Sequence, residues 1–287
     1  MIQFIYLTKT PTFMNLTKIN IGIIGKPNSG KSTLFNTLLG EYISPVGDEY
    51  GLTKSLIKQK FTLKNFEFII VDTPGLRRRS KVKEEHELAR NSEVIKIINN
   101  VDVAVLLIDS LEGITRQDFR LADLALSKHK ILFFLFNKFD ILDDKRKYKI
   151  NIKKHLRNNY SKHKLVNIDF ISAKNNTRIS NVLKEIILKK ELISIKINKQ
   201  KLNKFINYLN KKSTLPRFNK IEIKPKYIVQ LENKIPKFKI FINIQKKPPQ
   251  LFQKFFDNSF RSYFKLDGVP ILYDFKTSKN PYISDFD

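Results

Sequence analysis

Residues 25–32 read GKPNSGKS, a G-x-x-x-x-G-K-S spacing, and what flanks them constrains the fold. The preceding KINIGII, 18–24, is a short run dominated by β-branched residues that halts at Gly25, the pattern of a buried strand. The following STLFNTLLG spaces Leu34, Leu38 and Leu39 for one face of a helix that stops at Gly40. Strand, glycine-bearing loop and helix in that order make a phosphate cradle. Gly30 lets the backbone curl its N–H groups around phosphate oxygens, and the helix aims the positive end of its dipole at them. Lys31 is placed to bridge the β- and γ-phosphates, and the Ser32 hydroxyl to meet Mg²⁺. The phosphate-binding candidates here are Gly25, Lys26, Pro27, Asn28, Ser29, Gly30, Lys31, Ser32 and Thr33.

Further strand-like runs follow at FEFIIVD (66–72), VDVAVLLID (101–109), KILFFLFN (130–137) and VNIDFIS (166–172). They alternate with helical segments near 84–100, 116–128, 145–158 and 178–191, which predicts a mostly parallel sheet covered by helices on both faces. From about residue 195 the order becomes helix (KQKLNKFINYLN), two strand-like runs (NKIEIKPKYIVQ, PKFKIFIN), helix (PQLFQKFFDNSFRSYF) and strand (PILYDF). The expected fold is α/β: a phosphate-loop nucleotide-binding domain over 18–194, then a small α+β domain over 195–276. Residues 1–17 read as a leader or linker remnant and 277–287 as a tail.

Three more motifs fall at strand ends. In DTPG, Asp72 can reach Mg²⁺ through water and the Gly75 amide can face the γ-phosphate, so Asp72, Thr73, Pro74, Gly75 and Leu76 join the phosphate set. In NKFD, Asn137, Lys138 and Asp140 select the base. A fixed carboxylate at Asp140 accepts both N1–H and the exocyclic amine of guanine, whereas adenine offers no such donor pair. The tripeptide Ser172, Ala173 and Lys174 follows the last strand of the domain, and the Ala173 amide could meet guanine O6. Any one of the three is common by chance; four motifs in this order, each at a strand end, define a GTP and GDP site.

Charge bears on partners. Lys+Arg 54 against Asp+Glu 27 favours a polyanion, although the abundance of Lys, Asn, Ile and Phe also fits AT-rich coding. Residues 195–287 hold 20 Lys/Arg against 7 Asp/Glu and residues 1–194 hold 34 against 20, a concentration that coding bias does not explain. Aromatics such as Tyr227, Phe238, Phe241, Phe255, Phe256 and Phe264 accompany it at core-like spacings. The chain has no cysteine, which suits a reducing, cytoplasmic or organellar interior, and its four histidines show no metal-ligand spacing. No run approaches the ~18 apolar residues of a membrane span, so no membrane partner is expected.

Together these pieces resemble the translation-factor class of P-loop GTPases. VDTPGLRRRSKV (71–82) is similar to the D-T-A-G-L-R-R-R-x-K-V of the second G domain in the Der (EngA) family, and LEGITRQDFRLADLAL (111–126) to its E-G-I-T-x-Q-D segment. YIVQ, PKFKIFIN, NSFRSYF and DGVPILYDF resemble the Der KH-like domain. Era, the other bacterial family with a G domain and a KH-type domain, would carry a G-x-x-G loop, and none follows residue 195. The resemblance implies a GTPase of large-subunit ribosome assembly that binds rRNA; an Era-like small-subunit factor and a nucleotide-gated binding module with little turnover are the alternatives. It also implies that Thr53, in DEYGLTKS, is the switch threonine that completes the Mg²⁺ set with Ser32 and Asp72. Der normally has two G domains in tandem, of which the resemblance covers the second; a shortened relative, a fragment from a split gene and an incomplete sequence all stay open. Leu76 cannot orient water. Related GTPases with a hydrophobic residue there use a phosphate-loop asparagine to hold K⁺, which implies Asn28 as the K⁺ ligand and a catalytic set of Lys31, Thr53, Gly75 and Asn28. Arg77, Arg78 and Arg79 would sit in a segment that responds to the γ-phosphate, though a charge run is more often a solvated face. The chain is expected to act as a monomer.

Overall fold

The computed structural model describes residues 16–42, 57–72, 94–211 and 215–277. In the first unit the elements are β1 (Thr17–Ile24), α1 (Lys31–Tyr42), β2 (Ile57–Leu63), β3 (Phe66–Asp72), helical residues 94–100 (α2), β4 (Val103–Asp109), α3 (Arg116–Ser127), β5 (Ile131–Asn137), α4 (Lys145–Asn159), β6 (Val166–Phe170) and α5 (Ile179–Ile193). The strands form one sheet in the order β2-β3-β1-β4-β5-β6. All neighbours are parallel except β2 and β3. β4 and β5 are buried along their whole length, which is why they read as unbroken apolar runs. Val103, Val105 and Leu107 pack on the side of α1 and α5; Ala104, Leu106 and Ile108 pack on the side of α2, α3 and α4. The sheet is therefore covered on both faces. The chain leaves β1 for β3 on one side and reaches β4 on the other, so the strand order reverses at β1, where such sheets bind ligands.

β2 is absent from the sequence expectation. It is an edge strand, IKQKFTL, whose polar residues at Lys60 and Thr62 face solvent while Phe61 is buried and stacks on Phe68 at 4.9 Å. That alternation is weaker than the apolar runs of the central strands.

The second unit holds α6 (Lys199–Asn210), the short pair β7 (Arg217–Phe218) and β8 (Ile221–Glu222), then β9 (Pro225–Leu231), β10 (Lys237–Ile242), α7 (Gln250–Phe264) and β11 (Leu272–Thr277). The run NKIEIKPKYIVQ, expected as one strand, is split between β8 and β9, which starts at Pro225, a residue with no N–H for a continuous ladder. The sheet order is β11-β10-β9, with β10 parallel to β11 and antiparallel to β9. Both helices lie on one face of it. α6 buries Leu202, Phe205, Ile206 and Leu209, and α7 buries Phe252, Phe256 and Phe260 against Phe238 and Ile240 of the sheet. Each such fully buried phenylalanine contributes about 1.5–3 kcal/mol.

The two units touch at a loop. Asn167 of β6 donates from its amide to the carbonyls of Leu132 (3.1 Å) and Gly268 (3.2 Å), and the Gly268 N–H donates to Lys164 O (2.9 Å). Glycine suits this close approach at 268: its φ is +73°, and a Cβ there would lie 2.1 Å from Asn167 Oδ1.

Candidate nucleotide site

The phosphate loop leaves β1 hard against β4. At Gly25, φ +143°, a Cβ would come 2.4 Å from the Leu107 carbonyl oxygen, so only glycine passes. Asn28, at the exposed tip, takes a left-handed φ of 63°. The Ser29 hydroxyl donates to Lys26 O at 3.0 Å, and Lys31 Nζ donates to the same carbonyl, curling its side chain across the loop. Leu34 N–H donates to Gly30 O at 2.9 Å and opens α1, leaving the first helical amides directed at the loop mouth. Pro27, Ser32 and Thr33 are exposed there, while Gly25, Lys26, Gly30 and Lys31 are partly buried.

Asn137, at the end of β5, is 2% exposed and spends both ends of its amide within the protein. Nδ2 donates to Ser29 O at 2.9 Å, and Oδ1 accepts from Ala173 N at 2.9 Å. One side chain thus joins the phosphate loop, the NKFD turn and the loop after β6. Gly30 is what admits it, since a Cβ on Gly30 would lie 2.2 Å from Asn137 Nδ2. The Ala173 carbonyl accepts from Thr37 Oγ1 at 2.7 Å, which fixes the same loop to α1. Ser172 is buried, and its Oγ accepts from Asn175 N at 3.1 Å. Lys174 is exposed.

Lys138 takes φ 59°, turning the chain so that Asp140 falls in a short 3-10 turn, Phe139–Ile141, with its carboxylate partly exposed on the same rim. Phe139 anchors the turn by burying its ring and donating its N–H to Ile171 O at 3.0 Å. Asp140 Oδ2 accepts only a long bond, 3.3 Å, from Asn175 Nδ2. Lys138 Nζ pairs with Asp109 Oδ2 at 2.5 Å, and Asp109 Oδ1 accepts from Leu111 N. Asp109 and Asn175 were not singled out in the sequence. Asp109 could have been found, since it closes the strand VDVAVLLID on the rim where the other motifs end.

Asp72 closes β3 opposite Ile57. The side chain of Asp72 lies outside the described residues, as do Thr53, Thr73, Pro74, Gly75, Leu76 and Arg77 to Arg79. Among the described residues no group of three His, Cys, Asp or Glu side chains could hold a metal. Ser32 is exposed at the loop mouth, and its hydroxyl is a hard oxygen donor of the kind that binds Mg²⁺. Among the described residues no helix is long and apolar enough to cross a membrane.

A doubly covered sheet, a phosphate loop at its switch point and the NKFD turn beside it define a P-loop GTPase domain, here joined to a small α+β unit. Residues 20–138 match the family model described as 50S ribosome-binding GTPase, and residues 196–276 match the KH-domain-like unit, C-terminal, of EngA bacterial GTPase enzymes. In both units the chain is similar to the Der (EngA) GTPases. It is 34% identical to GTPase Der of Finegoldia magna over 92% of this chain and 60% of that protein. Against GTPase Der of Borreliella burgdorferi the identity is 35%, over 90% and 58% respectively. The chain thus spans about 60% of the length of these relatives. Among solved structures, Era in complex with MgGDPNP and 16S ribosomal RNA nucleotides is similar at a TM-score of 0.47 and 20% identity, over 92% of this chain and 95% of that one.

Proposed function

We propose that this chain binds GTP and GDP, hydrolyses GTP, and in its GTP state binds rRNA of the large ribosomal subunit. The Asn137 clamp supports this most: it makes the phosphate loop and both base-side loops one rigid rim. On that rim Asp140 accepts from the guanine Watson–Crick edge, and Lys138, held by Asp109, packs beside it. Ser172, Ala173 and Lys174 close the far side of the base. Lys31 trades its internal carbonyl for the β- and γ-phosphates, and the amides of residues 30–33 surround them.

Ser32, Thr53 and Asp72 would hold Mg²⁺, and Asn28 would hold K⁺. Bound there, both cations supply positive charge against the phosphate oxygens as charge develops in hydrolysis. The Gly75 amide would meet the γ-phosphate, and Leu76 cannot orient water, which leaves charge stabilisation to the cations. The G domain occupies 18–194 and the KH-like domain 195–276, and the factor works as a monomer in the cytoplasm. The marked basic excess after residue 195 favours the KH-like domain as the RNA-facing part.

Phosphate release tests the enzyme. Wild type is expected to turn over GTP about tenfold faster in KCl than in NaCl at equal ionic strength, roughly 1.4 kcal/mol of barrier. Asn28→Gly preserves the left-handed backbone and removes the side chain, so it is expected to abolish the difference between salts. Equal rates in both salts for wild type would refute the K⁺ role, and no phosphate release in either would refute hydrolysis.

A further inference from the structure

The sheet of the C-terminal unit has two unlike faces. α6 and α7 cover the one carrying Ile228, Phe238 and Ile240, and among the described residues no helix covers the other. Period-two alternation and the ladder register set what the uncovered face presents. Tyr227 stands opposite Phe241, and their rings stack at 4.1 Å with 18° between planes. Phe241 pairs in turn with Lys276, and Lys239 sits between Val229 and Asp274 one row along. Lys237 lies a further row on. Tyr227 is 45% exposed and Val229 is 43% exposed, while Phe241 is partly buried beneath its stacked partner.

A sheet with one face on the core ordinarily turns a largely polar face to water. This one sets a stacked aromatic pair among three lysines, and its single carboxylate, Asp274, is already engaged by Lys276 at 3.5 Å. Protein interfaces are depleted of lysine at their centres, whereas Lys239 is central here. Aromatic rings on a sheet with lysines two residues apart, about 6.6 Å along the strand, are the arrangement that takes unstacked bases on the rings and phosphates on the ammonium groups.

We infer that the helix-free face of this sheet is a platform for single-stranded RNA, with bases stacking on Tyr227 and Phe241 and phosphates meeting Lys237, Lys239 and Lys276. The inference rests on the RNA-binding reading above and gives it a surface.

The test titrates the full chain, by fluorescence anisotropy across a salt series, with a labelled single-stranded oligouridine RNA and with a duplex RNA of equal length. Tyr227→Ala is expected to weaken single-strand binding about tenfold while leaving duplex binding unchanged. Tyr227→Phe keeps the stack and is expected to bind as wild type does, which separates stacking from damage to the fold. Replacing Lys237, Lys239 and Lys276 by alanine is expected to reduce the slope of log affinity against log salt by about 2. Lys201→Ala with Lys204→Ala, on the exposed side of α6, removes charge elsewhere and should shift affinity less than twofold. If wild type binds the single strand and Tyr227→Ala binds it equally well, the platform is refuted while the RNA reading stands. If wild type binds neither RNA nor purified ribosomal subunits, the RNA reading fails and the platform with it. Loss of subunit co-sedimentation in Tyr227→Ala with unchanged oligouridine binding would make the face a protein contact and overturn the proposal.

Discussion

At the scale of single residues, Asn137 and Asp102 do similar work in different places. Asn137 satisfies a carbonyl from residue 29 and an amide from residue 173, so the geometry of the nucleotide rim depends on one buried side chain. Asp102 Oδ2 accepts from the Asn20 backbone N–H (2.9 Å) and side-chain amide (3.2 Å), and its Oδ1 accepts from Lys190 (2.9 Å), tying β1, the start of β4 and α5 together. Burial opposes ionisation of Asp102, but the Asn20 N–H and Lys190 outweigh it and hold the carboxyl below its usual range. A carboxylate depressed in the folded state stabilises the fold above its unfolded pKa, and that gain is lost as pH falls through the folded value. Asp102→Asn is therefore expected to lower stability by about 1 kcal/mol at neutral pH, because the pair is partly exposed. The gap to wild type should close progressively below about pH 4. Calorimetric Tm across a pH series reads this; a gap independent of pH would contradict it. The placement of Lys31 just after β1 and of Asp140 just after β5 was legible in the sequence, because both motifs follow strand-like apolar runs. The partners of Asn137 and Asp102 were not, since they lie more than thirty residues away and only the strand order brings them together.

At the scale of elements, the central strands were legible because strands buried on both faces are continuous apolar runs. The edge strand β2 and the break before β9 were not, because a half-polar alternation and a single proline are weak signals. The EGITRQD stretch gains a local cause. Thr115 caps α3, and its N–H and hydroxyl both donate to Asp118 Oδ2 at 2.8 Å, with Asp118 itself buried. The aromatic spacing of the second unit correctly implied core positions for Phe238 and Phe256, both fully buried. It did not separate them from Tyr227 and Phe241, because a sheet's two faces look alike in sequence until a helix is known to cover one of them.

At the scale of the molecule, the loop between α7 and β11 joins the two units. Arg261, 3% exposed, shapes that loop from within by donating to the carbonyls of Leu266 (3.0 Å) and Val269 (2.6 Å) while pairing with Asp257 at 2.7 Å. The loop then presents Gly268 to Asn167 of β6, the strand that leads into Ser172–Lys174 on the nucleotide rim. Gly268→Ala forces a side chain into a left-handed backbone and against Asn167, at a cost of about 1–3 kcal/mol. Hydrogen exchange is expected to quicken at residues 164–168 and 266–269 and to stay unchanged in the β4 and β5 core; unaltered exchange at both junction segments would show that this contact does not join the units. If strand-end loops fixed together by Asn137 form a guanine-nucleotide site read by Asp140, base preference must follow the Asp140 side chain. Isothermal titration of wild type and Asp140→Asn with GTP, ATP and xanthosine triphosphate in Mg²⁺ buffer tests it most directly. The expected result is saturable heat with GTP and none with ATP for wild type, and a switch to xanthosine triphosphate in the variant, whose amide donates where the carboxylate accepted. No heat with GTP for wild type, or an unchanged preference for guanine in Asp140→Asn, would contradict it.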